Sequence, residues 1–204
     1  MTMTHRTPFA LAAGAIAVAL SILPATTYPP EPEPLVVELA GDSLTDRYAS
    51  LTDFDPIGWW YPGATSAGVL NYIQPGGDVL VLMVGTNDIR EGISRTTTVA
   101  NVHAIVDKVG AAHVVLLAVA PCDVTDDNGI DRQREASVLN RSLATHAQDA
   151  GWLFVDPWAR IRTLDGGYAS GMTTDGVHPT TAGAQIVADV VEGAVLIATE
   201  GAGS

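Results

Sequence analysis

A hydroxyl, an amide and a carboxylate–imidazole pair stand at three well-separated turns of this chain. The apolar run Leu35-Val36-Val37-Glu38-Leu39-Ala40 stops at Gly41-Asp42-Ser43-Leu44. It reads as a buried strand feeding a tight turn, and in open α/β sheets ligands bind at the carboxyl ends of strands. Ser43 is thereby presented to a cleft. Val79 to Val84 is a second such run and opens into Gly85-Thr86-Asn87-Asp88, while Asp175-Gly176-Val177-His178-Pro179 stands near the end of the chain. A serine hydroxyl is a poor nucleophile near neutral pH and needs a base within hydrogen-bond reach. His178 is the candidate base. Asp175, three residues earlier on the same loop, can accept from one imidazole nitrogen and leave the other facing Ser43, which is the logic of a catalytic triad. Each turn alone also has a plain structural reading, because Asp and Ser cap helices and Gly punctuates strands.

Taken together, Gly41-Asp42-Ser43-Leu44, Gly63 within Tyr61-Pro62-Gly63-Ala64, Gly85-Thr86-Asn87-Asp88 and Asp175-Gly176-Val177-His178 resemble, in order and spacing, the blocks of the SGNH hydrolases, also called GDSL esterases and lipases. The resemblance covers roughly Leu35 to Ile197. It implies an α/β fold, a three-layer α/β/α sandwich around five parallel strands in flavodoxin-like order. It also implies an oxyanion hole made by the backbone amides of Ser43 and Gly63 and the side chain of Asn87. Gly63 suits that role if a residue without Cβ lets its amide approach closely. Asp42 and Asp88 are expected to hold their turns in shape. The implied reaction is cleavage of an acyl ester through an acyl-enzyme, with no cofactor and no metal.

The elements that must position these residues are legible in outline. Thr45 to Ser50 can open a helix, and Trp59-Trp60-Tyr61 is a short aromatic strand whose rings are read as core and rim, not as a sugar platform. Thr96 to Val109 has apolar residues at helical spacing, His113 to Ala120 is another buried strand, and Asp131 to Ala150 reads as a helix. Trp152 to Val155 is the last strand, with Thr180 to Ala198 the closing helix. Strands alternating with helices imply a parallel sheet covered on both faces. The longest irregular stretches expected are Thr45 to Gly58 and Cys122 to Asp131, neither long enough for a lid, so the site is expected to be a shallow open groove.

A length of 204 residues suits one domain, taken as residues 35–204. The formal charge of −13, with ten Lys and Arg, argues against a nucleic-acid partner. The single cysteine, Cys122, excludes an internal disulfide and reads as a partly buried thiol. Residues 1–27 have a positive start, an apolar centre and small residues near their end, the layout of a secretory signal peptide. An uncleaved N-terminal anchor is the competing reading, which would tether the domain to a membrane with the domain outside. Residues 28–34 form a proline-rich linker. Asp123 to Asp131 fails as a calcium loop, because Val124 falls where the first carboxylate must be. His103, His113 and His146 read as surface or structural histidines. No G-x-S-x-G elbow is present around Ser66 or Ser170.

The favoured function is therefore a secreted serine esterase acting on a small-molecule or carbohydrate acyl ester of short chain. The alternatives on the same fold are an acyltransferase and a non-catalytic carbohydrate-binding protein.

Overall fold

Alternating residues along each strand divide the apolar side chains between two cores. The computed structural model describes residues 34–124 and 129–200; the candidate signal and all of the linker but Pro34 lie outside them, as does the middle of the acidic loop. Five strands, β1 (Val37–Gly41), β2 (Ile57–Trp60), β3 (Val79–Met83), β4 (His113–Leu117) and β5 (Leu153–Val155), form one parallel sheet in the order β2-β1-β3-β4-β5. This is the flavodoxin-like order expected. Val37, Leu39, Val79, Val81, Met83, Val115 and Leu117 enter one core, whereas Ala40, Leu80, Leu82, Val114 and Leu116 enter the other. Both faces are thus apolar and buried, as parallel sheets require.

Helices α1 (Ser43–Ala49) and α6 (Thr181–Glu200) cover the first face, with Leu44, Tyr48, Val187 and Val191 facing the strands. Helices α2 (Ser66–Tyr72), α4 (Arg95–Val109) and α5 (Arg132–Ala150) cover the second through Val69, Val99, Val102, Ile105, Leu139 and Leu143. By length and composition α6 is apolar enough to cross a membrane, with a mean hydropathy of 1.5. Its Val187, Ala188 and Val191 are nevertheless fully enclosed against the sheet, the arrangement of a core helix.

Two short elements and one long connection depart from expectation. Ser66–Tyr72 is a helix with no strong sequence signal, since only Val69 and the flanking Ile73 bury at helical spacing and Gly68 lies inside it. Thr86–Arg90 is a one-turn helix, α3, where a polar turn is expected. Among the described residues the longest irregular stretch is 156–180, between β5 and α6, which carries Asp175 and His178. That stretch is anchored in the core by Trp158, whose indole N–H donates to Ala118 O at 3.0 Å and whose ring meets Tyr168 edge to face. Arg162 pairs with Asp156 at 3.2 Å and donates to Val119 O at 2.8 Å. Cys122 is fully buried.

Candidate active site

Every sequence-predicted site residue lies at the carboxyl edge of the sheet. Asp42 is the N-cap of α1 and accepts from Leu44 N–H at 2.9 Å, which makes Ser43 the first helical residue and leaves its own N–H without an acceptor among the described residues. The approach is possible only because residue 41 is glycine. A Cβ there would stand 2.0 Å from Thr45 Oγ1 and 2.7 Å from Met83 O, in the heart of the β1–α1 turn.

Ser43 Oγ lies 2.9 Å from His178 Nε2, and His178 Nδ1 lies 2.8 Å from Asp175 Oδ2. The three side chains form one hydrogen-bonded relay. The other oxygen of Asp175 accepts from the backbone N–H groups of His178 at 2.7 Å and Val177 at 2.9 Å. Burial opposes ionisation of Asp175, but these two amides and the imidazole outweigh it and hold the carboxyl well below the usual range. The loop itself is braced by Thr173 Oγ1, which donates to His178 O at 2.7 Å, and by Tyr168 Oη, which donates to Val177 O at 2.8 Å. Asp123 joins it to the segment after β4, through Tyr168 N–H to Asp123 Oδ1 at 2.8 Å and Asp123 N–H to Gly176 O at 2.7 Å.

Gly63 faces the same cleft, with no acceptor for its N–H among the described residues. The reason for glycine differs from the one expected. A Cβ would meet nothing within 4 Å, so close approach is not the constraint; the backbone has φ +83°, a conformation that other residues rarely adopt. Asn87 also lines the cleft, but its amide is already engaged, donating to Asp42 Oδ2 at 2.9 Å and to Ala64 O at 3.0 Å. Asp42 is enclosed, and burial pushes its pKa up to about 6 against the opposing pull of the Leu44 N–H, the nearby His178 and the Asn87 amide. Asp88 is equally enclosed and accepts from Ser66 N–H at 2.8 Å, from Ser66 Oγ and from Thr98 Oγ1 at 3.0 Å, pinning α3 to α2 and α4. Asp42 and Asp88 thus hold turns, as expected. The sequence carried no signal for Ser66 and Thr98, whose importance comes from the carboxylate they meet.

The cleft has a volume of about 270 Å³ and is lined by Ser43, Gly63, Asn87 and His178 together with Pro62, Thr86, Val177 and two arginines, Arg90 and Arg132. A larger cavity of about 460 Å³ beside α3, α4 and α5 holds none of the relay residues.

The sequence model of the GDSL-like Lipase/Acylhydrolase family matches residues 39–186. The chain belongs to this family. The match takes in the turns carrying Ser43, Gly63, Asn87, Asp175 and His178, and the chain is a serine hydrolase of the SGNH type. Among solved structures the GDSL chain is similar to a candidate acylhydrolase from Bacteroides fragilis, with 24% identity over 84% of this chain and 91% of that one and a TM-score of 0.71. It is similar to a GDSL-like lipase from Bacteroides thetaiotaomicron, with 21% identity over 81% and 88% and a TM-score of 0.66. A carbohydrate acetylesterase family member from Sinorhizobium meliloti shares 17% identity over 80% and 98%, with a TM-score of 0.63. At these identities the likeness is one of fold. Comparison with curated proteins gives no match.

Proposed function

We propose that this acylhydrolase is an exported esterase that cleaves short-chain carboxylic esters through an acyl-enzyme formed on Ser43. The observation that carries the reading is the unbroken relay from Ser43 Oγ to His178 Nε2 and from His178 Nδ1 to Asp175 Oδ2, at 2.9 and 2.8 Å. His178 removes the proton as Ser43 attacks the ester carbonyl and returns it to the leaving alcohol; water then repeats the sequence on the acyl-enzyme. Asp175, ionised throughout, fixes the imidazole tautomer and favours the transient imidazolium. The backbone amides of Ser43 and Gly63, without acceptors among the described residues, supply two oxyanion donors. Asn87 supplies a third by sharing the hydrogen now directed at Ala64 O, because a developing oxyanion is a stronger acceptor than a neutral carbonyl.

Export rests on the layout of residues 1–27, and a carbohydrate ester is a substrate that an exported enzyme would meet; the fold it shares with a carbohydrate acetylesterase is compatible with that choice. The size of the cleft supports short acyl groups. Each methylene adds about 0.8 kcal/mol only when it is buried, and a cleft of about 270 Å³ can enclose few. Across 4-nitrophenyl esters, kcat/KM is expected to be greatest between acetyl and hexanoyl. A profile still rising at dodecanoyl would contradict the proposal and require a longer apolar channel.

A further inference from the structure

The cleft is lined by two cationic side chains that the relay does not use. Arg132, the first residue of α5, is only 8% exposed and lines the cleft beside Ser43, Asn87 and His178. Among the described residues its guanidinium has neither a hydrogen-bond acceptor nor an ion-pair partner. Among the described residues, the acids of the neighbouring turns are committed elsewhere: Asp42 to Leu44 and Asn87, Asp88 to Ser66 and Thr98, Asp175 to His178 and Val177. Asp131 caps α5 by accepting from Arg134 N–H at 3.0 Å. A guanidinium that faces the cleft with no counter-charge among the described residues is available to an anion. Arg90 lines the same cleft from its rim, paired there with Glu91 at 2.8 Å. Two of only ten Lys and Arg in a chain of charge −13 therefore face one small cleft.

Resting on the esterase reading, we infer that Arg132 is a specificity residue and that the preferred substrate is an ester carrying a carboxylate or a comparable oxyanion group on its β4 side, opposite Gly63. The guanidinium presents a planar fork of donors that matches such a group in two parallel bonds, with the positive end of α5 behind it. Arg90 adds attraction at the entrance.

Matched ester pairs test this and show which half of the substrate bears the charge. The acyl-side pair is 4-nitrophenyl hemisuccinate with 4-nitrophenyl butyrate; the alcohol-side pair is 4-acetoxybenzoate with 4-acetoxybenzamide. At low ionic strength the charged member of one pair should exceed its neutral partner by about 10- to 100-fold in kcat/KM, the range of a charge-assisted bidentate contact. R132Q should bring that ratio close to one and R132K should retain part of it. Equal rates within both wild-type pairs would overturn the inference while leaving the esterase intact, and so would a preference that survives R132Q. Failure to cleave any of the four esters would strike the esterase reading itself.

Discussion

Asn87 is where geometry and proposed role make the sharpest demand on each other. Its amide hydrogens are engaged by Asp42 and Ala64, so in the proposed role the one on Ala64 O is shared only with a stronger acceptor, the developing oxyanion, and yields little to a neutral ground-state carbonyl. Asn87→Ala should therefore lower kcat by about 10²- to 10³-fold with little change in KM, as measured by steady-state hydrolysis of a short ester. A rise in KM at constant kcat would make it a substrate-binding residue instead. Asp42 gives a second test. Its pKa is raised to about 6 in the folded protein, above the ordinary value of 3.8, so between those values the folded state holds the proton more firmly than the unfolded chain. The stability contribution is complete below pH 4 and is lost as pH rises towards 6, by about 3 kcal/mol at most. Asp42→Asn should remove this slope, seen in urea midpoints compared with wild type at pH 4, 5, 6 and 7; parallel profiles would contradict the assignment. Asp175 is depressed, so its effect has the opposite sign and falls below pH 4. At this scale the candidate nucleophile, base and orienting acid were legible because four short blocks stand together in order, where each turn alone reads as a cap or a strand end. Arg132 was not, since an arginine in a helical stretch looks like solvent-facing charge until its burial is known.

The elements divide by what their sequences could announce. Strands β1, β3 and β4 are predominantly apolar because both faces are buried, with Glu38 the exception in β1 and His113 opening β4, and α4 and α5 have enough turns for periodicity to show. A one-turn helix such as α3 has no period to read; it exists because Asp88 is held from α2 and α4. Stretch 156–180 likewise takes its shape from tertiary anchors. Trp158 is the deepest of these, so Trp158→Ala should cost about 3–5 kcal/mol, the range for deleting a buried aromatic side chain. Thermal denaturation measures that loss. A variant as stable as wild type would show that the stretch is held by its remaining bonds, chiefly those of Arg162 and Tyr168.

Across the whole molecule, the parallel sheet was expected from alternating strands and helices, and its strand order followed from the resemblance carried by four short blocks, since periodicity alone does not fix order. The order matters for chemistry. It sets β1, β2 and β3 side by side, so that Ser43, Gly63 and Asn87 emerge on adjacent strand ends, while the segment after β5 folds back to deliver His178 to Ser43. Arg132, after β4, completes the row. The chain's acidic balance leaves that arginine a local exception. The central claim is that Ser43 is activated by this assembly. It is tested most directly by treating the protein with a fluorophosphonate and locating the adduct by mass spectrometry. The account predicts one adduct per chain, on Ser43, lost in Ser43→Ala and strongly slowed in His178→Ala; an adduct on another serine, or none in a preparation that cleaves esters, would contradict it.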